Sequence, residues 1–226
     1  MLSPDLPHYN DPEGNCLPSG ISCVIDAHVH VFPDRTFEAD AADMLIQAFD
    51  QGLGGVKLHV HVQCFDLNGP GMDEICAVCA DYGKPMVVHA GREPKSDQYR
   101  CDPHDLCRAD RVDKILARFP DLALCVPHLG FDEVSEYVAL MAAHHNLWLD
   151  TAMVLTDYFP ARSRPDLRAF PLDRVMYGSD FPNIPYAWDR ELKWLADAGL
   201  SPSELAQVTW KNAAHFFNLD FDDHVG

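Results

Sequence analysis

The sequence has few basic residues and lacks a long apolar run. Its 17 lysines and arginines stand against 35 aspartates and glutamates, which gives a formal net charge of −18. This charge argues against nucleic acid or an anionic membrane as a partner, because both repel a negatively charged protein. No apolar stretch approaches the roughly 20 residues that a membrane-spanning helix needs.

We also expect neither a signal peptide nor an internal repeat. Residues 1–22 are polar and rich in Pro, Asn, Asp and Gly, without the basic start and apolar middle of a signal peptide. The sequence shows no internal repeat, low-complexity tract or interdomain linker. We therefore expect a cytoplasmic protein with a lead-in segment over 1–22, one domain over 23–219 and an acidic tail over 220–226.

Cysteine is present, but without the paired spacing of a zinc site. Among the eight cysteines, Cys76 and Cys79 form a C-x-x-C pair on a predicted helix, and no second pair has this spacing. Thiols in a cytosolic chain of this size are by default reduced and mostly buried. We expect Cys76 and Cys79 to pack in the core, and Cys101 and Cys107 to be free thiols.

Short apolar segments alternate with amphipathic ones along the chain. Strands are predicted at about 23–32, 56–62, 85–91, 122–130, 146–151 and 174–182. Helices are predicted between them, and a capping box at Ser201–Glu204 opens the last one. This alternation indicates an α/β fold with a parallel sheet covered by helices.

Ionisable side chains gather at the carboxyl ends of the predicted strands. They are His28, His30, Lys57, His59, His89, His128 and Asp180. A single histidine at a strand end, or a short H-x-H pattern, is common without any ligand. Several strands that all end in such groups are hard to explain by packing, because burying polar groups together costs free energy unless they bind something.

This set of side chains suits a divalent cation. Imidazoles with one carboxylate are typical ligands of a borderline ion such as zinc, which lowers the pKa of a bound water. Asp180 is the candidate for binding the metal and taking the proton of that water. His128 is the candidate for a neighbouring general acid or base, because imidazole titrates near neutral pH.

Five motifs, in this order, resemble the amidohydrolase superfamily. They are Asp26–His30, Gly55–His59, Val88–Gly91, Pro127–Gly130 and Tyr177–Pro182. The similarity is to the amidohydrolase-2 branch of metal-dependent hydrolases and decarboxylases. Residues Asn212–Phe217 also resemble the C-terminal helix of that branch. Each motif is short, and their order and spacing over residues 23–219 make the resemblance specific.

The resemblance implies a TIM-like (β/α) barrel with one divalent metal at its carboxyl rim. The metal ligands that it implies are His28, His30, His89 and Asp180. Asp180 and His128 match the catalytic positions, and His128 is a metal ligand in two-metal members. Lys57 falls where some members carry a carboxylated, bridging lysine. We interpret Lys57, together with His59 and Arg92, as a substrate contact.

The segment between the first two predicted strands is short for this family. Residues 31–55 predict one helix, where the family normally has two more strands. We therefore expect a barrel that is about two strands short of the usual eight, unless weak strands lie within 31–55.

The predicted function is hydrolysis of an amide, ester or lactone carbonyl by a metal-activated water. One alternative is metal-dependent, non-oxidative decarboxylation of an aromatic or muconate-type acid, with Arg92 holding the carboxylate. Another, of a different class, is a catalytically inactive binding protein on the shortened barrel. We expect one divalent ion, Zn²⁺ first and Mn²⁺ or Fe²⁺ as alternatives. The expected partner is a small-molecule substrate, and a homo-oligomer is an open alternative.

Overall fold

The computed structural model describes residues 41–92, 100–155, 165–184 and 186–220, together with Ile21, Cys23 and Asp97. These residues fall into two units. The first unit holds those between 32 and 149, and the second holds those from 150 onwards with Ile21 and Cys23. The predicted first strand lies, apart from Cys23, outside the described residues, and the single domain over 23–219 stays a prediction.

Parallel strands form the sheet of the first unit. They are β1 (Val56–His59), β2 (Met86–His89), β3 (Leu124–Val126) and β4 (Leu147–Asp150). Each pairs with the next in parallel, and every residue of β2, β3 and β4 is buried. Burial of both strand faces is what a parallel sheet covered by helices requires. The predicted α/β class is confirmed.

One helix precedes these strands, and the others connect them. They are α1 (Ala41–Asp50), α2 (Val60–Gln63), α3 (Pro70–Asp81), α4 (Pro103–Leu106), α5 (Ala109–Arg118) and α6 (Val134–Ala143). In α5, Val112, Ile115 and Leu116 are buried, at the i, i+3, i+4 spacing of one helix face. Within the described part of 31–55, residues 41–55 hold α1 and a turn but no strand, which agrees with a shortened barrel.

Strand β1, the second of the predicted strands, is shorter than its alternating sequence predicts. The pattern over 56–62 predicts a strand to Val62, which is wrong for its last three residues, because the chain turns into α2 after His59. The His59 N–H donates to Gln63 Oε1 over 2.7 Å, which closes a helical turn. As a result Val60 is buried and Val62 is 59% exposed, although a strand would place both on one face.

The second unit holds β5 (Val175–Met176), where the prediction extended the strand over 174–182. Its helices are α7 (Arg190–Asp197), α8 (Pro202–Ala206) and α9 (Asn212–Phe216), and a π-helical turn (Gln207–Lys211) joins the last two. The buried Asn212 amide donates to the carbonyls of Leu172 and Val175 over 2.7 and 2.6 Å. This side chain ties the last helix to β5.

Two local predictions are confirmed. The Ser201 hydroxyl accepts from the Glu204 N–H, and the Glu204 carboxylate accepts from the Ser201 N–H, which together form the capping box. Cys76 and Cys79 are fully buried on α3, and burial raises the pKa of each thiol to about 12. Both side chains are therefore protonated thiols in the core at neutral pH.

No helix among the described residues combines the length and the apolar character needed to cross a bilayer. The cytoplasmic location stays a prediction.

Candidate metal centre

Four histidines meet at the carboxyl ends of the first three strands. His59 ends β1, His61 lies on α2, His89 ends β2 and His128 follows β3. The sheet register sets His59 directly beside His89. The two rings stack with their centroids 4.0 Å apart, and His61 and His128 lie 5.0 and 4.7 Å from the His89 ring. We call these four residues the histidine cluster.

Three members of the histidine cluster fit a divalent cation. His59, His61 and His89 each offer a ring nitrogen, and these nitrogens lie within 4.8 Å of one another. Two nitrogens bound to one zinc ion at about 2.0–2.1 Å can be at most about 4.2 Å apart, so small side-chain rotations bring them into range. Imidazole nitrogens are borderline donors that suit zinc and its first-row neighbours.

His61 is the residue of this site that sequence reasoning missed. The prediction gave His59 a substrate role and assigned no role to His61. In the structure His61 is fully buried, and its ring lies 4.5 Å from that of His59. The available signal was the second H-x-H pattern at 59 and 61, which repeats the spacing of the one at 28 and 30.

His128 is held in the histidine cluster by an unusual turn. The four residues His128–Phe131 all have positive φ angles, between 49° and 78°. Three of them are not glycine, so this backbone conformation is strained and must be held by its surroundings. The buried His128 ring also makes an edge contact with the Phe131 ring at 5.5 Å. The turn thus fixes an imidazole beside His89.

Arg92 fastens this turn from outside. Its Nε lies 3.3 Å from Asp132 Oδ1 and 3.4 Å from Glu133 Oε1, and its backbone pairs with Phe131 in a short parallel bridge. The arginine predicted to bind substrate therefore has two protein carboxylates beside its guanidinium. Its side chain remains 37% exposed.

Glu133 is a buried carboxyl group at the start of α6. Its two oxygens lie 3.2 and 3.3 Å from the Ala109 N–H. Burial raises its pKa above the ordinary value, against the lowering effects of the Ala109 N–H and the Arg92 guanidinium. Glu133 therefore links the turn after β3 to the first residue of α5 at a cost in desolvation.

We expect Glu133→Gln to change how stability depends on pH. Because the Glu133 pKa is raised on folding, the folded state binds this proton more tightly than the unfolded chain. The free energy of unfolding then falls as pH rises from the ordinary glutamate pKa of about 4.3 through the raised value. Glutamine does not titrate and keeps an acceptor for the Ala109 N–H, so the variant gains stability relative to the native protein over that interval.

Urea unfolding of both proteins at pH steps from about 4 to about 7 measures this difference. Glu74→Gln, at an exposed position of α3, is the control and leaves the difference flat. A difference that moves the other way with pH would contradict the raised pKa, because it would show that folding stabilises the Glu133 carboxylate.

The remaining predicted site residues are described only in part. His28 and His30 lie outside the described residues. Asp180 belongs to the second unit, where it is 5% exposed, has a φ of 64° and accepts from the Asn183 N–H through its carbonyl. Lys57 shares a strand face with His59. The ligand set His28, His30, His89 and Asp180 stays a prediction, as do the catalytic roles of Asp180 and His128.

A family model described as Amidohydrolase matches residues 25–219 of the chain. A search of curated proteins found none that matches the chain.

Several solved structures share the fold. An uncharacterised Tim-barrel protein from Bordetella bronchiseptica is 19% identical, with a TM-score of 0.66 over 79% of this chain and 62% of that one. A 5-carboxyvanillate decarboxylase from Novosphingobium aromaticivorans, complexed with manganese, is 18% identical, with a TM-score of 0.56 over 79% and 60%. A putative 2-pyrone-4,6-dicarboxylic acid hydrolase from Pseudomonas putida is 17% identical, with a TM-score of 0.59 over 86% and 72%.

At these identities the likeness shows the fold, which is that of the TIM-barrel amidohydrolases. The chain spans less than two thirds of the length of the first two of these proteins.

Proposed function

The chain belongs to the amidohydrolase family, and from that premise we propose that it is a metal-dependent hydrolase of a small molecule with an amide, ester or lactone carbonyl. The observation that carries this proposal is the histidine cluster, in which three ring nitrogens lie within 4.8 Å of one another at the carboxyl ends of parallel strands. In a (β/α) barrel this end of the sheet is where catalytic groups lie.

His89 is the proposed ligand common to every arrangement. It would bind the cation with His59 and His61, which lie beside it, or with His28, His30 and Asp180, as the family resemblance implies. A bound divalent cation supplies a Lewis acid, which polarises a carbonyl group and lowers the pKa of a water molecule. Zn²⁺ suits imidazole ligands, and the manganese in the Novosphingobium decarboxylase supports Mn²⁺ as the alternative.

Proton transfer is assigned to His128 and Asp180. The His128 ring is buried, is held by the turn His128–Phe131 and lies 4.7 Å from the His89 ring, so a proton can be taken or given beside the proposed metal ligands. Asp180 is a buried carboxyl group and the proposed acceptor of the water's proton. Lys57 shares the strand face of His59 and would bring a positive charge near an anionic substrate.

Decarboxylation of an aromatic or muconate-type acid is the second candidate. The observation in its favour is the structural likeness to the 5-carboxyvanillate decarboxylase. Arg92, which remains partly exposed beside the turn after β3, would then contact the substrate carboxylate. A binding protein without turnover is the remaining alternative.

The test is an activity screen with two independent readouts. Protein loaded with one equivalent of Zn²⁺ or Mn²⁺ is incubated with small lactones, amides, esters and aromatic carboxylic acids. We expect ring opening or acid release from a carbonyl substrate that stops when a chelator removes the cation. Carbon dioxide release without hydrolysis would replace the first candidate by the second. Tight cation binding with neither reaction across the panel would favour the binding protein.

A further inference from the structure

Three cysteine thiols surround His61. Cys64 and Cys101 both donate to the His61 carbonyl oxygen, over 3.4 and 3.2 Å. Cys107 Sγ lies 3.6 Å from His61 Nδ1. The Cys64 and Cys101 sulfur atoms are 3.4 Å apart, although 37 positions separate them in the sequence. Long-range folding thus brings two thiols together on the backbone of a histidine in the cluster.

The three thiols differ in access to solvent. Cys64 is exposed and Cys101 is partly exposed, whereas Cys107 is fully buried. A thiol reacts with an external oxidant only where the oxidant can reach it. Cys64 is therefore the member of the group that an external oxidant reaches first, and Cys107 is a packing residue against the His61 ring. Burial, with the neighbouring Cys64 thiol, raises the pKa of the Cys101 thiol to about 11, so Cys101 acts in the second step, on a mixed disulfide at Cys64.

We propose that Cys64 and Cys101 form a redox-sensitive dithiol that oxidises to a disulfide and so restrains α2, the helical turn that carries His61. This modification site lies outside the proposed catalytic chemistry and does not depend on it. The sulfur atoms need to approach by about 1.3 Å to reach S–S bonding distance. Cys64 follows the last residue of α2 with a φ of 55°, and α2 already packs against α4 beside Cys101.

The oxidant is a low-molecular-weight disulfide such as oxidised glutathione. The exposed Cys64 sulfur attacks one of its sulfur atoms, forming a mixed disulfide and releasing one glutathione. The Cys101 sulfur then attacks the Cys64 sulfur, and the second glutathione leaves. The protein dithiol loses two electrons, the reagent disulfide gains them, and the two thiol protons end on the released glutathione molecules.

Oxidation exchanges two weak hydrogen bonds for a covalent link. In the reduced protein each thiol donates its own hydrogen bond to the His61 carbonyl oxygen. In the oxidised protein the end of α2 is tied to the segment that enters α4, so α2 opens less often. Its backbone amides should then exchange with solvent about tenfold more slowly.

The test treats the full chain with oxidised glutathione and maps its peptides without reduction. We expect a linked pair of peptides that contains Cys64 and Cys101, and an intact mass lower by two hydrogen atoms. Cys64→Ser and Cys101→Ser lack the linked pair, whereas Cys23→Ser, at a partly exposed thiol of the second unit, retains it. Hydrogen exchange of α2 slows in the oxidised native protein and in Cys23→Ser, but not in Cys64→Ser.

Three results would overturn the proposal. Stable glutathione adducts on Cys64 without a link to Cys101 would show that the second thiol does not reach it. A link from Cys101 to Cys107 would assign the disulfide to a different pair. Unchanged exchange of α2 in a protein with the mapped Cys64–Cys101 link would show that the bond forms without restraining His61. None of these readouts requires catalytic activity.

Discussion

We expect the replacement of His89 by alanine to abolish binding of the proposed divalent cation and the proposed turnover, while the chain stays folded. His89 ends β2, is 4% exposed and belongs to both candidate ligand sets. Loss of one nitrogen ligand should lower the metal affinity by at least about 100-fold, beyond the effect of losing an outer hydrogen-bond partner of a ligand. Alanine fits at the strand end without a clash, so the fold remains.

The measurement is metal content after dialysis together with calorimetric titration of Zn²⁺ and Mn²⁺. Circular dichroism checks that the variant is folded. His145→Ala is the matched control, because that imidazole is exposed and lies outside the histidine cluster. Unchanged metal affinity in His89→Ala would refute the assignment of His89 as a ligand, and with it the proposed metal centre.

His61→Ala separates the two ligand sets. If His59, His61 and His89 hold the cation, the metal affinity of His61→Ala falls as far as that of His89→Ala. If the ligands are those implied by the family resemblance, only His89→Ala loses the metal. Either result identifies which imidazoles bind the ion, because His61 belongs to the set of His59, His61 and His89 and not to the set implied by the family resemblance.

Gly130→Ala should destabilise the first unit by about 3 kcal/mol or more. Gly130 has a φ of 78°, which a residue with a Cβ atom rarely adopts. A Cβ atom there would also lie 2.5 Å from Cε2 and 2.6 Å from Cγ of the Tyr137 ring, and nearer still to its Cδ2. The Tyr137 side chain is fully buried, so the ring has no room to withdraw.

Urea unfolding of the Gly130→Ala variant measures this loss of stability. The result bears on the site because Gly130 lies in the same turn as His128. The matched control is Gly54→Ala, where an added Cβ atom meets nothing within 4 Å. We expect that control to differ from the native protein by less than about 1 kcal/mol. A Gly130→Ala variant as stable as the control would show that the turn His128–Phe131 is not held against Tyr137 as described.

The class of the fold and one end of the site were predictable because their signals are local. The apolar runs before His89 and before Pro127 form strands, because each run is bounded by residues that end a strand. The prediction carried this strand to Gly130, whereas in the structure β3 ends at Val126, before Pro127, which lacks a backbone N–H. His89 and His128 therefore fall at strand ends by their place in the sequence, and parallel strands bring those ends to one edge.

Other contacts at the site depend on segments that are distant in the chain. Arg92 meets Asp132 and Glu133 across 40 and 41 positions, and Cys64 meets Cys101 across 37 positions. No periodicity relates such residues, because a hydrophobic pattern reports only on neighbours within one helix or strand. The carboxylates beside Arg92 are neighbours that its position in the sequence does not reveal.

The sequence by itself determined the alternating strands and helices, the capping box at Ser201 and the placement of His89 and His128 at strand ends. These follow from side-chain periodicity and from bonds within a few residues. Only the tertiary structure decided that the chain leaves the sheet after His59, that His61 joins the histidine cluster and that two thiols meet on its carbonyl. The physical reason is that strand pairing and loop packing, rather than local preference, choose where the backbone turns and which distant side chains touch.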